Sequence, residues 1–544
     1  MAVITVNKFS GVSPMTPPRY LGNEAAQTAL NCPVWKGSLQ PIKGAQALTP
    51  SPLTKSGNIK SIYRFDQSQT NQLNYWFHWT TDVDVVQGFI AGDTTERTYY
   101  TGDGNPKVTN ATMALTGGGN LYPIASYDIG VPKPTGTFTT AKTGTANANT
   151  TAETRVYTFT YVNSFGEEST PYAETDMSPS TEDVYPGESV VVTMPTGTIN
   201  NVNVTKKRIY RSASGTANTS YFFVAEVTLA TATYTDSLDG DDLNEELPSL
   251  TWVQPPTTLK GLVGMPNGVM AGFSGNDVYF SEPFRPFAWP TQYVQTVGYP
   301  VVGLGVIDTT VVVLTKGRPY FIQGSHPDSS VMVEADVNQA CISKRSIVSM
   351  NNNVFFASPD GIVALSPGGS SVVTQSLFDK ETWQAQSPDD LVACMYESQY
   401  VGFFDATSGN GGFVYDMKQK TWNFHNVYAT GAYNDLKNDA LYIIQNNELS
   451  KWDSGTDLTY TWKSKKYTFP EPKAFSCYRV EAEAYPVTMK IYKDSAAVVN
   501  LSVTDGSLRR LPPGLGTTWE FQLEGDKEVY NVQLAQTPQE LNQG

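Results

Sequence analysis

Charge is scarce in this 544-residue chain: only 16% of its residues are Asp, Glu, Lys or Arg. Histidine is scarcer still, with His78, His326 and His425 the three present. None stands in an H-E-x-x-H or H-x-H arrangement, so a histidine-based metal centre is not expected. His78, inside an apolar run, reads as a packed side chain. The four cysteines, Cys32, Cys341, Cys394 and Cys477, are far apart and form no C-x-x-C pair. That excludes a dense disulfide framework and points to free, buried thiols made in a reducing cytoplasm. No run of about 18 apolar residues occurs, so no membrane-spanning helix is expected. The opening "MAVITVNKFSGVSPMTPPRY" has no basic stretch followed by an apolar core and does not read as a secretory signal. Catalytic fingerprints are missing too. There is no G-x-S-x-G elbow and no phosphate loop, and "GLGV" at 303–306 is half a dinucleotide fingerprint that reads as a turn. "DSLDGDDLNEE" at 236–246 lacks the calcium-loop register. No catalytic residue, cofactor or metal site is nominated, and the chain is not expected to be an enzyme.

What is plentiful is Gly (44), Pro (34) and Tyr (30), the composition of short strands and many turns. The net charge of −15 argues against general nucleic-acid binding, which needs a basic footprint. Solubility alone accounts for such a charge; a surface that must not adhere to an anion is the sharper reading.

An apolar strand, a polar turn and a second apolar strand recur. They start at Val269, Val311, Val354, Tyr400 and Ala440, spaced 42, 43, 46 and 40 residues apart. A sixth unit starts at Asn74, in "NYWFHWTTDVDVVQGFI". This period predicts four-stranded blades of an all-β, β-propeller fold, with six blades expected. A chance series of hairpins in a β-sandwich is the competing architecture. Residues 134–154 form a Thr/Ala/Gly linker. After it "RVYTFTYVNSFGEESTPY" alternates, with Tyr157, Phe159 and Tyr161 on one face and Thr158 and Thr160 on the other. That predicts a half-buried antiparallel strand, each aromatic contributing ~1.5–3 kcal/mol on burial. With "SVVVTMP", "KKRIYRSASG" and "YFFVAEVTL" it predicts a fibronectin-like β-sandwich over 133–255, inserted between propeller segments 46–132 and 256–455. A C-terminal β unit takes 456–544, and residues 1–45 form an N-terminal segment with a short helix expected over Glu24–Leu30.

"NGVMAGFSGNDVYFSEPFRPFAWP" (267–290) makes a hairpin and leaves through Pro283, Pro286 and Pro290. Proline cannot extend a central strand, so an exposed exit path is expected. Phe284, Phe287 and Trp289 are then candidates for capping a blade or touching another subunit.

This segment resembles one in the nozzle proteins of short-tailed bacteriophages, the tail tubular protein B family. "YTFTYVNSFGEESTPY", "KKRIYRSASG", "FFASPDGIVAL" and "ALNCPVWKGSLQPIKG" resemble further parts of it, so the similarity spreads over residues 20 to 455. The C-terminal 90 residues match less well. The resemblance implies a structural virion protein made in the host cytoplasm. Six copies would form a ring at the tail's distal end, below a head-to-tail adaptor ring. The ring would anchor fibres or spikes and pass DNA without binding it specifically. Residues 1–45 would contact the adaptor or the C-terminal unit. Six copies would carry −90 formal charges, and a net negative channel wall would keep phosphates from adhering. The run Asp236, Asp239, Asp241, Asp242, Glu245 and Glu246 is either a solvated loop or a candidate for that wall. A propeller glycosidase, whose paired carboxylates cannot be recognised without geometry, and a carbohydrate- or receptor-binding tail protein are the alternatives.

Overall fold

The computed structural model describes residues 3–34, 36–65, 75–147, 149–172, 180–213, 220–407 and 409–542. Asn74, the expected start of the sixth repeat, lies outside them. Five of the six repeats are built as expected. In each, the hairpin read from the sequence is the middle pair of four antiparallel strands, as in Lys260–Gly264, Met270–Ser274, Asp277–Phe280 and Gln295–Thr296; the sixth is split, with Trp76–Trp79 and Asp84–Gln87 in different sheets. These central strands are buried on both faces between neighbouring sheets. Val311 to Leu314 are therefore all apolar and fully enclosed.

Among the described residues the blades number seven, not six. The upstream region holds two sheets: Ser61–Arg64 with Trp76–Trp79, and a four-stranded sheet from Asp84–Gln87 to Tyr127–Asp128. "TYYTGDG" is the central hairpin of this second sheet rather than an outer strand of the first. Five further blades follow, beginning at Lys260–Gly264, Val301–Ile307, Val348–Met350, Val392–Tyr396 and Ala432–Asp435. Seven apolar clusters occupy the seven successive interfaces, the last of them joining Ile62 and Trp76 of blade 1 to Tyr442 and Ile444 of blade 7. The ring is thus closed. Its seam is fastened by a strand pair and an ion pair. Gln46–Ala47 pairs with Glu448–Lys451 as the outer strand of blade 7, and Arg64 forms a buried ion pair with Asp435.

Between blades 2 and 3 the chain makes a seven-stranded sandwich. Thr139–Gly144, Glu188–Thr193 and Thr233–Asp236 form one sheet, and Thr181–Val184, Glu153–Asn163, Val204–Ser212 and Tyr221–Thr228 the other. The inserted sandwich is as expected, but the strand Glu153–Asn163 is not half-buried. Thr158 and Thr160 are enclosed as fully as the tyrosines, because the returning segment 167–170 covers their face. There Glu168 accepts hydrogen bonds from Thr160 (2.6 Å) and Tyr210 (2.7 Å).

Residues 24–30 are a strand, Ala26–Leu30, and not a helix. Its register beside Tyr460–Ser464 and its parallel pairing of Leu30 with Phe424 override a weak helical preference. This strand joins blade 6 to the C-terminal unit in one continuous sheet that ends on Ala496–Val503. A second sheet, Val3–Val6, Val529–Ala535, Cys477–Ala482 and Arg509–Arg510, packs on it. Residues 1–45 therefore belong mainly to the C-terminal unit.

Candidate functional site

The innermost strands of the blades surround an axis, and two basic side chains close it. They come from a tight turn, Lys344–Ser346, between blades 4 and 5. Buried hydroxyls pin that turn. Ser343 Oγ donates to the Leu391 carbonyl (2.8 Å), Ser346 Oγ to the Ser343 carbonyl (2.7 Å), and Tyr400 Oη to the Ser346 carbonyl (2.7 Å). From this fixed base Lys344 Nζ reaches across the axis to blade 2, meeting Asp84 at 2.6 Å and Asp82 at 3.1 Å. Arg345 donates to the carbonyls of Lys60 (2.6 Å) and Thr430 (2.5 Å), on the approaches to blades 1 and 7. A cavity of about 180 Å³ remains around them.

The electrostatics follow from the enclosure. Burial raises the Asp84 carboxyl above the ordinary aspartate value, although Lys344 pulls the other way. Burial opposes the charge on Lys344, but the two carboxylates outweigh it and raise its pKa. The cluster is a cross-axis tie between blades far apart in sequence. Sequence reading missed it, because "DVDV" and "SKRS" carry no motif and meet only when the ring closes.

The nominated acidic run is divided by the fold. Asp236 is not part of a loop or wall; it is fully buried in the sandwich, accepting from Tyr157 Oη at 2.7 Å and paired with Arg211 Nε at 3.2 Å. An aspartate ending a core strand needs such partners. Asp239, Asp241, Asp242, Glu245 and Glu246 are exposed. Their segment is tied back along the sandwich edge, where the Phe223 amide donates to the Glu245 carbonyl and the Leu247 amide to the Tyr221 carbonyl.

The proline-aromatic exit is divided too. Pro286 and Pro290 are buried, so the expected exposed path is instead a connection folded against blade 3. Trp289 is sealed between blades 2 and 3 with Tyr99 and Leu259, its Nε1 donating to the Pro286 carbonyl. Phe287 meets Trp252 edge-on at 5.6 Å. Phe284 alone faces outward, at 57% exposure.

The remaining chemistry-bearing groups are occupied structurally. His78 Nε2 accepts from the Thr54 and Lys55 amides, and burial pushes its pKa down to about 4. His425 is buried between Phe403 and Trp452, and its pKa falls to about 3 for the same reason. His326 caps a short turn through Asp328. All four cysteines are free and buried. Among the described residues no group of three or more potential metal ligands gathers, and no helix is long and apolar enough to cross a membrane. Where the N-terminal segment, blade 6 and the C-terminal unit meet, an open cleft of about 760 Å³ is lined by Lys8, Glu24, Lys36, Thr421 and Tyr530 among others.

No protein-family model and no curated protein matches the sequence. Solved structures similar to it include BBS1N in complex with ARL6DN, at 11% identity over 48% of this chain and 86% of that one, with a TM-score of 0.25. BamB from Moraxella catarrhalis is similar at 12% identity over 53% and 90%, with a TM-score of 0.24. The tricorn protease is similar at 9% identity over 81% and 38%, with a TM-score of 0.24. Scores this low carry neither topology nor function; the propeller rests on its seven closed sheets.

Proposed function

We propose that this chain is a structural protein of a short phage tail, the nozzle subunit of a ring through which the genome leaves. The observation that supports this most is where the resembling segments fall. They lie on the middle hairpin and exit of blade 3, two paired strands of the inserted sandwich, the central hairpin of blade 5, and the end of the N-terminal strand beside blade 6, Ala29 and Leu30, with the stretch that follows it. The first four segments are strands of the frame, and the last runs on to Lys36 at the edge of the open cleft. Lys344 and Arg345 obstruct the propeller's own axis. In this reading DNA therefore passes between copies, and each propeller is a rigid stave of the wall. The cleft beside Lys8 and Lys36 is the place where an adaptor or fibre segment would seat. A glycosidase fits less well, because the axial carboxylates are held by Lys344 in a cavity of about 180 Å³.

Electron microscopy of the purified protein and of virions tests the reading. A six-fold ring at the tail tip is expected; a protein absent from virions refutes it. The ring should not retain double-stranded DNA at low salt, and tight binding there would overturn the repulsive channel. Release of new reducing ends from host surface glycan would establish the enzyme instead.

A further inference from the structure

A free sheet edge exposes unpaired backbone groups, and proteins blunt such edges by shortening, charging or covering them. Most blades here do so. The outer strands of blades 2, 3 and 7 are two residues long, Tyr127–Asp128, Gln295–Thr296 and Gln46–Ala47. That of blade 5, Gly369–Val372, reads "GSSV", and that of blade 6 is covered by the strand Ala26–Leu30. Blade 4 is different. Its outer strand Val331–Glu334 reads "VMVE" and is exposed on both faces, with Val331 at 61%, Met332 at 37% and Val333 at 49%. Among the described residues it pairs only with Tyr320–Gln323.

The chain carries a second such edge. Ala496–Val503, "AAVVNLSV", ends the long sheet of the C-terminal unit and, among the described residues, pairs only with Val487–Lys493. Ala496, Ala497 and Val498 are exposed. The charges beside the two edges differ. Asp328 and Asp336 leave the first acidic after Glu334 pairs with Arg318 at 2.8 Å, whereas the second is close to balanced, with Lys490 paired to Glu524 at 2.5 Å and Lys493 next to Asp494. The chain already extends its own sheets in this manner, adding Gln46–Ala47 to blade 7 and Ala26–Leu30 to blade 6.

We infer that copies of this chain join head to tail, the Val331–Glu334 edge of one pairing with the Ala496–Val503 edge of the next. Backbone hydrogen bonds across the new pair supply the attraction, the apolar side chains pack across it, and the acidic flank of Val331–Glu334 disfavours pairing of that edge with its own copy over pairing with the near-neutral one. The two edges are different surfaces, so the contact is heterologous and propagates until a ring closes or a filament grows. This gives the proposed ring its subunit contact, and rests on that reading only for the closure of the chain of copies.

The test is assembly mass by light scattering on the full chain. Wild type should assemble. Val331→Lys with Val333→Lys should reduce it to single chains, as should Ala496→Glu with Val498→Glu. These positions face solvent, and unchanged melting checks that each variant folds. An equimolar mixture of the two variants should restore assembly, because one junction is then wild type and the other pairs lysine with glutamate. A chain that failed to fold would not be rescued, so loss and rescue are read separately. A wild type that stays single at tens of micromolar, assembly that survives either pair of substitutions, or a mixture that stays dissociated overturns the inference. A protein that assembles through these edges yet is absent from virions keeps the inference and sinks the nozzle reading.

Discussion

Replacing Lys344 by methionine removes the ammonium that Asp82 and Asp84 share. Their oxygens lie 3.1 and 2.6 Å from it, and so within about 6 Å of each other. At an effective dielectric constant of ~20, two such carboxylates repel by roughly 3 kcal/mol. Breaking a fully buried pair costs about 3–5 kcal/mol. These side chains are 22%, 37% and 26% exposed, however, and solvent screening reduces the expected loss to about 2 kcal/mol. The pH dependence gives the loss a signature. Burial already raises the Asp84 carboxyl in the folded protein, with Lys344 opposing, so losing Lys344 raises it further. A carboxyl whose folded pKa exceeds its unfolded value takes up a proton on folding, and the destabilisation is greatest above the folded pKa. The variant's deficit should therefore be large at pH 7.5 and shrink as the solution is acidified toward the aspartate range. Urea denaturation followed by tryptophan fluorescence measures it, and adding Asp84→Asn should recover part of the loss. A Lys344→Met protein as stable as wild type at pH 7.5, or a deficit that ignores pH, would refute the axial tie.

Gly361→Val should destabilise by about 3 kcal/mol, read as a lower urea midpoint. Gly361 sits at φ +148°, and a Cβ there would lie 2.3 Å from Thr374 Oγ1, the acceptor for the Ile362 amide; an unchanged midpoint would mean that Thr374 yields freely. Glu167 joins the sandwich to blade 2 through Arg97 at 3.5 Å, and burial, outweighing Asn163 and Arg97, lifts its pKa to about 7. Folding then takes up a proton between the ordinary glutamate range and pH 7, so this group's contribution falls as pH rises through that window, by up to about 3 kcal/mol. Glu167→Gln should flatten that slope, and an identical slope in the variant would place its origin elsewhere. Residues 133–255 expressed alone should melt cooperatively, since Phe138, Phe159, Val190 and Ile209 form a core of their own; an aggregated product with no transition would count against an independent sandwich.

The amino-acid sequence by itself determined the class of fold, the repeat and the insertion. Central blade strands are buried on both faces, so runs such as Val311 to Leu314 stay apolar and their hairpins can be read directly. Innermost and outer strands are shorter or wetter, which is why two upstream blades merged into one and the count fell short. Local preference also misled where a partner strand from far away decides the conformation: Ala26–Leu30 is extended because Tyr460–Ser464 and Phe424 lie beside it. Which acidic residue is buried was equally illegible, since Asp236 is set apart from its exposed neighbours by partners distant in sequence, Arg211 and Tyr157. The axial tie and the seam belong to tertiary structure alone. Lys344 meets Asp84, and Arg64 meets Asp435, across hundreds of residues; the first pair spans the ring, and the second forms where the seventh blade closes on the first. Burial on both faces writes itself into consecutive residues, whereas a contact between distant charges leaves no local trace.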